Sequence, residues 1–312
     1  MNKKLSIVIL LLSFVSLKLS AQEFSFDKLS YYQRELHVNP AYAGSKNLFS
    51  ATSNIQKQWI NIDKSPDIQR FQIHSPIFDN KMGLGLTMYN ETYGITHKFG
   101  FFANYAYKIH LEQGVLSLGL CMGAQTHQDN YAKLETPMPD PIFSENTGLM
   151  LGFNCGFGAY YSDSNSDRFY MGFSMPVLID NSLKQGEMGL TNKLDFEKTP
   201  FYLTGGYVFK LGETFGLKPA ALLGYSSKYQ FAYNISLTGY YSRDFWLGAM
   251  VRYKNQAGGI VGFNVLDCVA LNYVYTFNYA SLTSKIGQSA IHEISLRIEL
   301  DFKGRRSSFK FF

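Results

Sequence analysis

In HEISLRIELDF, residues 292 to 302, apolar and polar side chains alternate without a break. Ile294, Leu296, Ile298, Leu300 and Phe302 make one row; Glu293, Ser295, Arg297, Glu299 and Asp301 make the other. Successive side chains of a strand leave on opposite faces, so a period of two writes one wholly apolar face and one wholly polar face. A helix of 3.6 residues per turn would mix these rows. Such strict sorting is what a wall between hydrocarbon and a watery bore demands, because Lys or Arg facing lipid at mid-membrane costs about 2–4 kcal/mol.

The pattern returns along the chain. FGFFANYAYKI sends Phe99, Phe101, Ala103, Tyr105, Tyr107 and Ile109 outward and Gly100, Asn104 and Lys108 inward. DFWLGAMVRYK sends Phe245, Leu247, Ala249, Val251 and Tyr253 outward, with Trp246, Gly248, Arg252 and Lys254 inward. CVALNYVYTFNY sets Val269, Leu271, Tyr273, Tyr275, Phe277 and Tyr279 against Ala270, Asn272, Thr276 and Asn278. The alternation predicts strands near 48–60, 66–75, 82–91, 98–110, 114–126, 149–162, 167–175, 200–211, 216–227, 229–241, 243–254, 257–266, 268–279 and 290–302. A tilted strand crosses a bilayer in about 9–11 residues, and these segments have that length. Fourteen is an even number, as a single-chain barrel with both ends in the periplasm requires.

Connections after even strands are short: PIFDNK, HLEQG, SDSNS, LGETFG, YSRD and LDC. Long ones follow odd strands, chiefly 126–148 and 176–199, and are expected on the outer face, where function concentrates. Pro137, Pro139 and Pro141 in the first of these loops cannot feed a sheet ladder. The fold expected is an all-β, transmembrane, antiparallel up-and-down barrel of about fourteen strands.

Composition agrees: 22 Tyr and 26 Phe stand against 2 Trp, and only 17% of residues are charged. The first 21 residues, MNKKLSIVILLLSFVSLKLSA, carry two early lysines, an apolar run and a small-residue end, which is a secretory signal peptide cleaved between Ala21 and Gln22. Beyond it no run approaches the roughly 18 apolar residues of a membrane helix. The reading divides the chain into signal peptide (1–21), periplasmic lead-in (22–47), barrel (48–302) and tail (303–312), with no linker inside the barrel. The net charge of +5 is scattered apart from the tail KGRRSSFK, so no nucleic-acid partner is expected.

Chemistry-bearing sets are sparse. His37, His74, His97, His110, His127 and His292 lack metal-ligand spacing, and Cys121, Cys155 and Cys268 fit neither a disulfide framework nor a metal site. The GLG and GFG units lie within alternating strands rather than before a helix, so they read as relief of crowding, not as phosphate loops. Serines form no nucleophile elbow. No catalytic residue, cofactor or metal is assigned, and an enzyme is not expected. Arg70, Lys108, Lys210, Arg252, Arg297 and Glu299 point inward, either lining a pore or pairing across the bore.

The stretch HVNPAYAGS precedes the first strand; Asn39-Pro40 favours a turn and Gly44 permits a tight bend. With QKQW at 56–59, GLGL at 83–86, YAYKIHLEQGVLSLGL at 105–120, FYMGFSMP at 169–176, FYLTGGYVFKL, FWLGAMVRYKN and HEISL, it resembles the PorP/SprF family. Lys57 stands where that family usually carries Arg. The resemblance implies an outer-membrane barrel of the Bacteroidota, working with the type IX secretion system and gliding motility. Its implied partners are outer-membrane lipid, type IX components and an adhesin-like secreted protein with a C-terminal targeting domain. Partner contacts are expected at Asn39, Pro40, Ala41, Tyr42 and Gly44 on the periplasmic side, and at Trp59, Pro137, Pro139 and Pro141. The alternative is a passive porin for small solutes.

Overall fold

A computed structural model of the protein describes residues 34–131, 149–163, 168–183, 190–194, 199–226, 230–242, 244–253, 255–279 and 290–301. Its strands are β1 (Phe49–Gln58), β2 (Asp67–Ile77), β3 (Met82–Tyr93), β4 (Thr96–His110), β5 (Gly114–Asp129), β6 (Met150–Asp163), β7 (Phe169–Met175), β8 (Ile179–Leu183), β9 (Leu190–Leu194), β10 (Phe201–Tyr207), β11 (Phe209–Leu211), β12 (Phe215–Ser226), β13 (Gln230–Tyr241), β14 (Phe245–Arg252), β15 (Gln256–Leu266), β16 (Val269–Asn278) and β17 (Ile291–Leu300). Neighbours pair antiparallel from β1 through β7, then β10, then β12 through β17. The pairing of β1 with β17, from Phe49 opposite Leu300 to Gln58 opposite Ile291, shuts the ring. The result is a closed fourteen-strand barrel with no free edge, the form in which a sheet can satisfy its backbone groups inside lipid.

The alternation decides which face meets lipid. Along β5, Leu118, Leu120 and Met122 are exposed, while Ser117, Gly119 and Cys121 between them are buried. Along β4, Phe99, Phe101, Tyr105, Tyr107 and Ile109 are exposed and Gly100, Asn104 and Lys108 are buried, as the sequence predicts. In β17, Glu293, Ser295 and Glu299 are buried and Ile294, Leu296 and Leu300 exposed. The exposed apolar belt continues around the barrel, and inside it lie polar rows. Short turns join β2 to β3, β4 to β5 and β13 to β14 at one end, which is the periplasmic end of such a barrel.

Three details differ from the sequence reading. The segment 200–211 is two strands, β10 and β11, broken at the buried Val208: its N–H donates to the Arg168 carbonyl at 2.7 Å, in register with β7, while the ladder to β12 lapses opposite Pro219, which has no N–H to give. The loop 176–199 contains the small hairpin β8–β9, outside the barrel ring. Lys210, expected inward, is exposed in β11 near the barrel end. The signal peptide, Pro137, Pro139, Pro141, Lys254, Phe302 and the tail lie outside the described residues.

The largest departure concerns the lead-in. Residues 34–47, expected in the periplasm, are folded into the bore. They form one helical turn, α1 (Glu35–Val38), and a 3-10 turn at Pro40–Tyr42. Leu36, Val38, Ala41, Tyr42 and Ala43 are all at most 1% exposed. A polar-lined bore offers hydrogen-bond partners to such a strap, and the strap supplies apolar groups to cover the neutral wall positions.

Candidate functional site

The site is built around the strap. Asn39 opens the 3-10 turn: its Oδ1 accepts from the Ala41 N–H at 3.0 Å, a helix-start cap, and Pro40 takes the next position, where no N–H is needed. The same side chain reaches the wall, with Nδ2 donating to the Ala159 carbonyl of β6 at 2.9 Å. Tyr42 meets Tyr160 edge-on with centroids 5.3 Å apart and His74 at 5.5 Å. Gly44 turns the chain at φ 69°, and its N–H donates to His74 Nδ1 at 3.1 Å. Only glycine suits that position, since a Cβ would also stand 3.0 Å from the Gly83 Cα.

The wall is carved to receive the strap. A Cβ on Gly119 would lie 2.1 Å from the Ala41 nitrogen, one on Gly83 2.0 Å from the Ala43 carbonyl oxygen, and one on Gly158 2.1 Å from Asn39 Oδ1. These glycines belong to the SLGL, GLGL and GFG units, so the repeated glycines mark close backbone approach rather than bends.

Charge fixes both ends. Arg34 pairs with Glu293 of β17 at 2.7 Å and donates to Gln56 Oε1 of β1 at 2.6 Å. Glu293 also accepts from Asn54 Nδ2 at 2.9 Å. Lys46 pairs with Glu299 at 2.5 Å, and Arg297 Nε approaches the same carboxylate at 3.3 Å. The Lys108 ammonium donates to the Gly44 carbonyl and to Asn80 Oδ1, tying strap, wall and the β2–β3 turn together. Each carboxylate here is at most 1% exposed, and a buried charge persists only when paired. Glu293 neighbours Gln56 on β1 and Val274 on β16, both neutral, and its ion pair is made with Arg34 of the strap, with Arg252 of β14 also close enough to act on it.

The far sector of the bore is filled differently. Trp246, Met250, Ile260, Ala270 and Val274 of β14, β15 and β16 form a buried inward cluster, and Trp246 Nε1 donates to Asn272 Oδ1 at 3.0 Å. Among the described residues no group of His, Cys, Asp and Glu could hold a metal. The arrangement holds a segment of the chain against the inner wall.

The positions singled out in the sequence separate. Asn39, Pro40, Ala41, Tyr42 and Gly44 come together inside the bore rather than on a periplasmic surface. Trp59 sits just past β1 at the opposite, outer end, 39% exposed, its N–H donating to the Ala290 carbonyl at 2.9 Å. Arg34, Lys46, Glu293 and the cradle glycines were not singled out as site residues. For the glycines no local signal exists, because the spacing between 83, 119 and 158 acquires meaning only once the barrel closes.

Among solved structures the fold is similar to the Ralstonia pickettii toluene transporter TbuX, with TM-score 0.50 and 8% identity over 84% of this chain and 92% of that one. The CymD monoaromatic hydrocarbon channel aligns with TM-score 0.49 and 11% identity over 85% and 91% of the two chains. The Acinetobacter baumannii outer membrane protein Omp33 aligns with TM-score 0.47 and 9% identity over 81% and 98%. Among curated proteins no relative matches the sequence. The family model described as type IX secretion system membrane protein PorP/SprF matches residues 23–298, nearly the whole barrel with its strap. The chain therefore belongs to the PorP/SprF family and is an outer-membrane β-barrel of the type IX secretion system.

Proposed function

We propose that this barrel assists export and surface attachment of an adhesin-like partner carrying a C-terminal type IX targeting domain. The family match over residues 23–298 carries the reading. In it, the barrel is a rigid platform. The outer connections after β5 and after β7, with Trp59 at the same rim, supply the partner-facing surface, and Pro137, Pro139 and Pro141 of the first are the partner contacts proposed there. Short turns such as Phe78–Lys81 face the machinery in the periplasm. Asn39, Pro40, Ala41, Tyr42 and Gly44 serve this work from within, by fixing the shape of the bore.

The test is a deletion strain in which secreted proteins bearing a C-terminal type IX targeting domain are followed by surface labelling. Loss of the partner from the surface with its accumulation in the periplasm is expected, restored by the wild-type barrel. Unchanged display in the deletion strain overturns the reading. A passive porin is the competing reading; it shares the barrel but needs an open bore, and the buried strap counts against it.

A further inference from the structure

The strap does not hug one side of the bore. Arg34 is held at β17 and β1, and the Val38 carbonyl accepts from Ser174 Oγ of β7 at 2.7 Å. Val38 packs with Tyr202, Leu222 and Ala232 on β10, β12 and β13. Asn39 is bonded to β6, Ala41 and Ala43 lie against β5 and β3, Gly44 is bonded to β2, and Lys46 returns to β17. The sector of β14 to β16 is occupied by its own apolar cluster around Trp246 and Ile260. Strap and cluster together set buried side chains against the inner wall on nearly every side of the barrel. Barrels of about 16–18 strands keep an aqueous channel, and one of fourteen has room for one unless something occupies it.

We propose that residues 34–47 are a resident stopper that seals the bore against small solutes, so that neither solutes nor an exported chain pass through this barrel. Its fixation is covalently simple and physically redundant: two ion pairs at its ends, the Lys108 clamp at Gly44, and glycine cradles against its middle. A mobile gate would have a polar, loosely contacted surface; here the contacts are buried and apolar in the centre. The inference concerns the bore alone and stands whether or not the rims bind an adhesin.

The experiment is conductance and vesicle swelling with the purified full-length mature barrel. The wild type is expected to give no single-channel steps in planar bilayers, and swelling with small sugars equal to protein-free vesicles. Gly83→Val with Gly119→Val places branched side chains where Ala43 and Ala41 now lie, and is expected to expel the strap and raise swelling to that of an open porin. Arg34→Glu with Lys46→Glu repels the strap from Glu293 and Glu299 without touching the wall, and should do the same if the glycine variant fails to fold. Displacement is checked independently by maleimide labelling of an Ala43→Cys probe. Steady conductance of the wild type overturns the proposal, and so does a folded variant whose probe is labelled while its vesicles stay sealed. Because the readout is solute flux, failure here leaves surface display of the partner to be judged separately.

Discussion

Replacing Glu293 with Gln removes a single charge at one buried end of the strap. Glu293 and Arg34 are 1% and 2% exposed and 2.7 Å apart, so the change removes the carboxylate charge beside a buried guanidinium while keeping an acceptor for Asn54. Breaking one partner of a buried pair costs about 3–5 kcal/mol. At about 1.4 kcal/mol per factor of ten, the equilibrium for lifting the strap rises on the order of 10²–10³-fold. The barrel ring is held by its own ladder, so the cost appears first as strap opening and only partly as global unfolding. A Val38→Cys probe in a background of Cys121→Ser, Cys155→Ala and Cys268→Ala reads this directly. Where reclosing is fast, its maleimide reaction rate tracks the open fraction. Arg34→Met should accelerate labelling as well, since it removes the ion-pair partner of the carboxylate, but Arg34→Met with Glu293→Leu should fall back toward the parent rate, because a buried pair exchanged for apolar groups is often neutral. Rates that rise less than about threefold in Glu293→Gln, or that simply multiply in the double variant, would refute the assignment of Arg34 and Glu293 as a coupled, desolvated pair.

Asn39→Ala removes both the cap to Ala41 and the bond to Ala159, and is expected to destabilise the strap by about 1–2 kcal/mol, seen as faster labelling of the same probe. Leu120→Arg puts a cation on the lipid face at the middle of β5, where Leu120 is 62% exposed; folding into vesicles should lose about 2–4 kcal/mol, measured by urea titration of the heat-resistant band. Trp246→Phe deletes the donor to Asn272 and leaves that amide unmatched, lowering the unfolding midpoint by an amount equivalent to about 1–3 kcal/mol, while the lipid-facing Leu247→Phe beside it should be nearly silent.

The strands were legible because lipid imposes a rule on every second residue. All fourteen predicted segments coincide with barrel strands, since a charge on the outer row of HEISLRIELDF or FGFFANYAYKI would cost more than a local propensity could recover. The same rule is silent where lipid is absent. The hairpin β8–β9, IDNSL and LTNKL, stands outside the ring and carries no clean apolar row. The break at Val208 falls where the ladder to β12 lapses opposite Pro219, on the neighbouring strand, and leaves no mark within FYLTGGYVFKL itself. The strap is the instructive failure. ELHVNPAYAGSK has no period of two, and its short turns suggested only a bend before β1; nothing within it says that three distant glycines await it. One clue was nevertheless written in the wall. Glu293 lies on the inward row between Gln56 and Val274, so its lateral neighbours in the sheet bring no positive charge. A buried carboxylate in that position needs positive charge from beyond its own ladder partners, and Arg252 of β14 supplies only part of it. The segment before β1 carries Arg34 and Lys46 on either side of an apolar stretch, and β17 carries Glu293 and Glu299 six residues apart on one face. Read together, those four charges place the lead-in against the inner face of the last strand, the location the structure gives it.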